Sequence, residues 1–133
     1  MRTFEGALTA GQYSFIAATS PEGWASPWHV HHREDEGLYV ISGLLRAKVG
    51  EGPFQDVRPG QFAFLPRKVP HCYRAVEETV LVVVCTPPGI EELFHEPAVN
   101  FDTENYSDEK FIKAAVDLSA RYGTEVLGPF PKE

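Results

Sequence analysis

The chain has 133 residues, a length that suits one domain burying roughly two-thirds of the surface its unfolded state would expose. Its 43% hydrophobic and 23% charged residues are those of an ordinary globular protein. Twelve basic side chains against nineteen acidic ones give a net charge of −7, which excludes a basic footprint for nucleic acid or for an anionic membrane. The two cysteines, Cys72 and Cys85, have no C-x-x-C spacing and read as reduced thiols of a cytoplasmic protein. Met1 leads into no long apolar run, so neither a signal peptide nor a transmembrane helix is expected.

Residues 2–10 carry no strong pattern. Residues 12–19 are aromatic and small, alternate in part, and stop at Ser20-Pro21-Glu22-Gly23, which predicts a strand and a turn. Short extended segments follow at 28–33 and 36–41. Residues 44–49 come so soon after them that a hairpin about Ser42-Gly43 is expected. Gly50 to Pro53 reads as a further turn, 54–57 as a short strand, and Arg58-Pro59-Gly60 as a turn. Strands are predicted at 61–65, 69–75 and 79–86, the last so rich in valine that both its faces should be buried. Short strands at intervals of about ten residues point to an all-β sandwich or barrel. After Pro87-Pro88-Gly89 the pattern changes. A short helix is expected at 90–95, irregular chain at 97–105, and a helix capped by Ser107. Phe111, Ala115, Leu118 and Tyr122 form its apolar stripe and Gly123 its stop, with 126–131 extended over the body. The expected organisation is a single domain over 1–133: a barrel at about 12–86 and a helical appendage at about 89–133.

Chemistry is concentrated in two stretches. Residues 23–43 read G-x5-H-x-H-x4-E-x6-G, with Gly23, His29, His31, Glu36 and Gly43 at the named positions. Side chains two apart on a strand share a face, so His29 and His31 point the same way. Glu36 has the other parity, and the polar residues His32, Arg33, Glu34 and Asp35 must turn or bulge for it to face them. Residues 60–71 read G-x5-P-x4-H, with Gly60, Pro66 and His71, and supply what looks like a fourth ligand. Three imidazoles and a carboxylate suit a divalent first-row ion and leave open positions for a substrate. The competing reading is a set of core or surface histidines holding no metal.

The two stretches together resemble the paired motifs of the cupin superfamily, and 29–36 with 66–71 is similar to its small quercetin dioxygenase-like members. Lys68 departs from the glycine usual in the second motif, and Ala75 from a frequent asparagine. The resemblance implies an all-β jelly-roll barrel (a double-stranded β-helix), a divalent ion (iron, manganese, nickel, cobalt or zinc) on His29, His31, Glu36 and His71, and a homodimer. It further implies an oxygenase that binds an enol, hydroxy-ketone or aromatic substrate on the metal, with Glu36 as general base and O₂ as co-substrate. A non-redox isomerase, lyase or cyclase would use the same ligands, and a non-catalytic binding module is the third reading. Leu38, Val40, Phe62, Phe64 and Tyr73 are the expected pocket wall. Glu34 reads as part of a solvated turn, His32 as a turn residue or a neighbour of the ligands, His95 as a surface residue, and Cys72 as a packed thiol.

Overall fold

Two long antiparallel strands organise the computed structural model, which describes residues 2–4, 9–94 and 109–133. The elements in order are β1 (Arg2–Phe4), β2 (Ser14–Ser20), β3 (Trp28–His31), β4 (Asp35–Val49), β5 (Gln55–Val57), β6 (Phe62–Leu65), β7 (His71–Thr86), α1 (Glu91–Phe94), α2 (Glu109–Arg121) and β8 (Thr124–Gly128). β4 and β7 pair along their whole length, from Asp35↔Thr86 to Val49↔His71. β5 and β6 take successive stretches of the other edge of β4. β2 takes the far edge of β7, and β1 adds to β2. β3 meets β7 at the pair His29↔His71 and has β8 on its other side. This antiparallel arrangement is a jelly-roll β-barrel with a small helical part.

The hairpin expected about Ser42-Gly43 does not form. Gly43 has φ +90° and lies so close to β7 that a Cβ there would stand 2.2 Å from the Glu78 carbonyl oxygen. The Leu44 N–H donates to Thr79 Oγ1 at 3.0 Å, and the register slips between Val40 and Leu45. A serine-glycine break reads locally as a reversal, but here it bends one continuous strand as a bulge. For the same reason the strands expected at 69–75 and 79–86 are one strand, β7. Its valine-rich half alternates between buried and half-buried positions, where burial on both faces was expected.

Alternation then assigns the core. Leu38, Val40, Leu45 and Ala47 of β4 join Ile16 of β2 and Ala75, Leu81, Val83 and Cys85 of β7 in one buried cluster, with Leu38↔Val83, Val40↔Leu81 and Leu45↔Ala75 side by side on the paired strands. Ile90, just before α1, Leu93 of α1 and Leu118 of α2 close onto the same cluster. Each such leucine or valine contributes roughly 1.5–3 kcal/mol by leaving water. The expected α2 stripe packs there through Ala115, Leu118 and Tyr122, and Gly123 (φ +80°) ends the helix. The Phe111 side chain, Ser107, His95 and 97–105 lie outside the described residues. The extended tail does lie on the body: part of it is β8, Phe130 packs on Phe54 (5.6 Å between centroids), and Glu133 accepts from Arg46 Nη1 at 2.9 Å and from Arg74 Nε.

Lys68 stands in the left-handed region at φ +65°, the conformation that glycine takes without penalty. Its N–H donates to the His31 carbonyl at 2.7 Å, which ties the loop before β7 to β3. The lysine therefore keeps the turn and bears its strain.

Gly43→Ala is expected to lower stability by at least about 2 kcal/mol, since it adds left-handed strain to a backbone clash. Thermal unfolding followed by circular dichroism checks this; an unchanged midpoint would mean that the bulge tolerates a side chain.

Candidate metal centre

Four side chains converge inside the barrel. His29 and His31 share the inward face of β3, His71 opens β7 opposite His29, and Glu36 points inward two residues before Leu38. Their ligand atoms all lie within 4.8 Å of one another, and all four residues are buried. The ring centroids stand 4.5 Å (His29–His71), 4.9 Å (His29–His31) and 5.2 Å (His31–His71) apart. Glu36 Oε2 is 3.1 Å from His31 Nε2 and 3.4 Å from His71 Nε2.

The outer nitrogens decide which way the inner ones are presented. A carbonyl only accepts, so His29 Nδ1–H donates to Pro27 O (2.7 Å) and His71 Nδ1–H to Val69 O (3.2 Å). Both rings therefore turn an Nε2 lone pair to the cluster. His71 is 0% exposed and its Nε2 makes no hydrogen bond, an orphaned acceptor of the kind that a buried site leaves for a ligand. Three imidazole nitrogens and a carboxylate oxygen, dry and preset, could hold a divalent first-row ion.

Charge follows the same geometry. Burial and the neighbouring His71 and His31 push His29 down to about 4, outweighing Pro27 and Glu36, so its ring is neutral at physiological pH. Burial also opposes charge on His31, but hydrogen bonds to Glu34 and Glu36 overcome it and lift the group to about 9. Burial would raise Glu36, yet His31 and His71 hold its carboxyl well below the usual carboxylate range. Among the described residues Cys72 and Cys85 are free thiols, and burial pushes both up, Cys72 to about 11. Neither belongs to the cluster.

The polar run before Glu36 is the solvated turn expected for it except at one residue. Glu34 is 3% exposed and turned inward, its Oε1 2.9 Å from His31 Nδ1. Exposed His32 pairs with Glu125 of β8 at 2.9 Å. Arg33 Nη1 donates to the Arg121 carbonyl, and Asp35 accepts from the Arg67 N–H and pairs with its guanidinium. Thr124 Oγ1, also 2.9 Å from His31 Nδ1, is a further residue that no motif indicated. The offset of Glu34 from His31, three residues through a turn, was the one available signal for it. Thr124 had none.

The expected pocket wall is corrected in part. Glu36↔Leu65 and Leu38↔Ala63 pair across β4 and β6, so Phe62 and Phe64 face outward with Tyr39 and Gly37. They are 59% and 56% exposed. Leu38 and Val40 do share the face of Glu36 but are packed in the core. Tyr73 is half-buried, inward, paired with Ala47 and 5.5 Å from the Trp24 ring. A groove of about 580 Å³ runs along the β5–β6 edge. Ala47, Val49, Val57, Phe62, Ala63 and Phe64 line it, together with the polar Gln55, Asp56 and Gln61.

Comparison with known proteins agrees with this architecture. The profile of the Cupin domain matches residues 16–87. Quercetin 2,3-dioxygenase of Bacillus subtilis is 27% identical over 119 residues, which are 83% of this chain but 35% of that protein, so the chain spans about a third of its curated relative. Among solved structures, TT1209 from Thermus thermophilus is 29% identical, with a TM-score of 0.53 over 58% of this chain and 74% of its own. KdgF from a Halomonas species is 20% identical, with a TM-score of 0.58 over 62% and 76%, a likeness of fold.

A nitrogen holding a proton has no lone pair to give, so an ion must displace the second proton of His31. That proton is held below about 9 and lost above it. Metal uptake near neutrality should therefore release close to one proton, and affinity should rise about tenfold per pH unit towards 9. Zinc titrations in weak buffer over about pH 6 to 8 measure both; an affinity flat over that range would show His31 already unprotonated. The ligand-free fold has the opposite slope. Its His31 contribution is complete below the ordinary histidine value of 6.5 and is lost as pH rises through about 9.

Proposed function

The chain belongs to the cupin family, and from that premise we propose a metal(II)-dependent oxygenase of the quercetin dioxygenase kind, acting on an enol, hydroxy-ketone or aromatic small molecule. The observation that carries this reading is the convergence of three imidazole nitrogens and one carboxylate in the buried end of the barrel. The likeness to a curated quercetin 2,3-dioxygenase supports it.

In this reading His29, His31 and His71 through Nε2, and Glu36 through a carboxylate oxygen, hold iron, manganese, cobalt or nickel. Such an ion would polarise a substrate oxygen and supply the redox path to O₂. The chain's own residues do the rest. Glu36 is ionised at neutral pH and takes the substrate hydroxyl proton on Oε2. Burial favours the protonated carboxyl while a bound cation would oppose it, so Glu36 would act as base through the oxygen that the ion does not hold. The β5–β6 groove admits the guest, for Ala47 and Val49 on its inner wall pair in register with Tyr73 and His71. The groove's aliphatic and aromatic side chains suit a flat guest, and Gln55, Asp56 and Gln61 offer hydrogen-bond partners to that guest's polar groups.

The partner in assembly is a second copy of this chain. Tyr39, Ile41, Phe62 and Phe64 lie together on the outer face of β4 and β6, all about half exposed. They present on the order of 400 Å² of apolar surface, within the roughly 300–600 Å² of the largest patch on an ordinary monomer. That is about half of the 800 Å² that each partner of a stable dimer buries. Phe64→Asp should turn a dimer into a monomer without loss of fold, read by light scattering; a wild-type monomer would refute the assembly.

The activity test uses quercetin as the probe, with protein loaded separately with each ion and followed by oxygen electrode and flavonol absorbance. One O₂ is expected to disappear per flavonol with a redox-active ion, and none with zinc. Glu36→Gln should lower turnover by about 100-fold or more with an unchanged circular dichroism spectrum, and His71→Ala should come out without metal. Turnover of an enolisable compound by the zinc form without O₂ would replace this reading with isomerase or lyase chemistry.

A further inference from the structure

We infer that Glu34 and Thr124 are positioning residues of the metal centre, which together hold the outer nitrogen of His31 and make the C-terminal strand β8 part of the site. The inference rests on reading His29, His31, Glu36 and His71 as that centre, and adds two residues that are not ligands.

The three histidines are held from behind in two ways. His29 and His71 donate from Nδ1 to carbonyls of their own strands' approach, Pro27 and Val69, contacts that no substitution removes. Among the described residues, the partners of His31 Nδ1 are instead two side chains, Glu34 Oε1 and Thr124 Oγ1, each at 2.9 Å. Glu34 Oε1 makes no hydrogen bond, and the His31 nitrogen 2.9 Å away is the polar neighbour it is paired with. A buried carboxyl oxygen with one polar neighbour is costly to keep, so its direction matters. Of the residues between His31 and Asp35, His32 and Arg33 are exposed and Glu34 alone is turned inward.

Thr124 reaches His31 from ninety-three residues away because the chain on either side of it is fastened. β8 pairs His31 with Thr124 in register. The His32 N–H donates to the Gly123 carbonyl at 2.8 Å, the His32 ring meets Glu125, and Arg33 Nη1 donates to the Arg121 carbonyl. Gly123 turns the chain there at φ +80°, a left-handed conformation that glycine adopts without strain. The segment from Arg121 to Glu125 is thus moulded to the segment from His31 to Arg33. It lies beyond residue 87, where the match to the family profile ends.

An acceptor behind Nδ1 fixes the tautomer that presents the Nε2 lone pair, stops the ring turning, and makes the imidazole a stronger donor when the acceptor is a carboxylate. Thr124 Oγ1 accepts from the single Nδ1–H at 2.9 Å, and the Glu34 carboxylate lies beside it at 2.9 Å as its charge partner.

The test is the zinc dissociation constant at one fixed pH, by competition with a chromophoric chelator, for wild type, Glu34→Ala, Glu34→Gln, Thr124→Val, Thr124→Ser and Glu125→Gln. Imidazole ¹⁵N–¹H spectra of the zinc-loaded proteins read the tautomer directly. Glu34→Ala and Thr124→Val should weaken zinc by about 10- to 100-fold. Thr124→Ser, which keeps the hydroxyl, should restore affinity to within about threefold of wild type, and Glu125→Gln should leave it unchanged. Glu34→Gln keeps the shape and one acceptor, so a smaller loss and a shifted His31 Nδ1–H resonance are expected. Wild-type affinity in both Thr124→Val and Glu34→Gln would overturn the inference while leaving the metal centre standing. If Glu34→Ala does not fold, those two variants decide. A wild-type protein that binds no zinc would overturn the centre itself.

Discussion

A straight ribbon of β4 and β7 would hold Glu36 and the partner of His71, Val49, roughly 40 Å apart, yet the side chains of Glu36 and His71 approach to 3.4 Å. The ribbon must fold back over itself, and the site exists only because it does. The slip in register between Val40 and Leu45 is where it turns. Gly43 lets the strand lie against Glu78, and Thr79, wholly buried, ties the turn through Leu44. The core residues on either side of the bend, Leu38 and Val40 before it and Leu45 and Ala47 after it, then face one interior. Packing and site are consequences of the same bend.

That bend brings charge into a dry place, which sets a second demand. A carboxylate among three imidazoles survives burial only if its lone pairs and their N–H groups are matched. The matching is arranged in two layers. The inner layer is Glu36 Oε2 against the inner N–H of His31. The outer layer is Pro27, Val69, Glu34 and Thr124, one or two acceptors behind each ring. His29 and His71 are thereby left as free donors, while His31 stores a proton between two carboxylates until something with more charge replaces it. A centre so arranged is set for a cation before any arrives, and binding need not order it.

β6 divides the barrel's surface into two uses. Its inward residues, Ala63 and Leu65, belong to the groove and the core, and its outward ones, Phe62 and Phe64, form an apolar face with Tyr39 and Ile41. Phe62 and Phe64 also line the groove, so the two surfaces meet along this one short strand. The Phe62 ring covers Gly37, where a Cβ would lie 2.4 Å from it, so the outer face is fitted to β4 as well as displayed.

The sequence by itself determined the local part of the centre. His29 and His31 are two apart, so a strand puts both on one face whatever surrounds it. The spacing to Glu36 through four polar residues, and the Pro66 to His71 stretch, likewise carried the ligand set and the jelly-roll class. Which face is inward was not local. Phe-Ala-Phe-Leu is apolar at every position of β6, and alternation separates two faces without saying which meets the core, so Phe62 and Phe64 were expected on the wrong one. Ser42-Gly43 allows a reversal or a bulge, and only the partner strand β7 decides between them. Glu34 shares its composition with a solvated turn, and it is buried because His31 offers it a nitrogen. Thr124 could not be read at all, since the contact joins positions ninety-three residues apart through the register of β8 on β3, a pairing that the whole fold has to make.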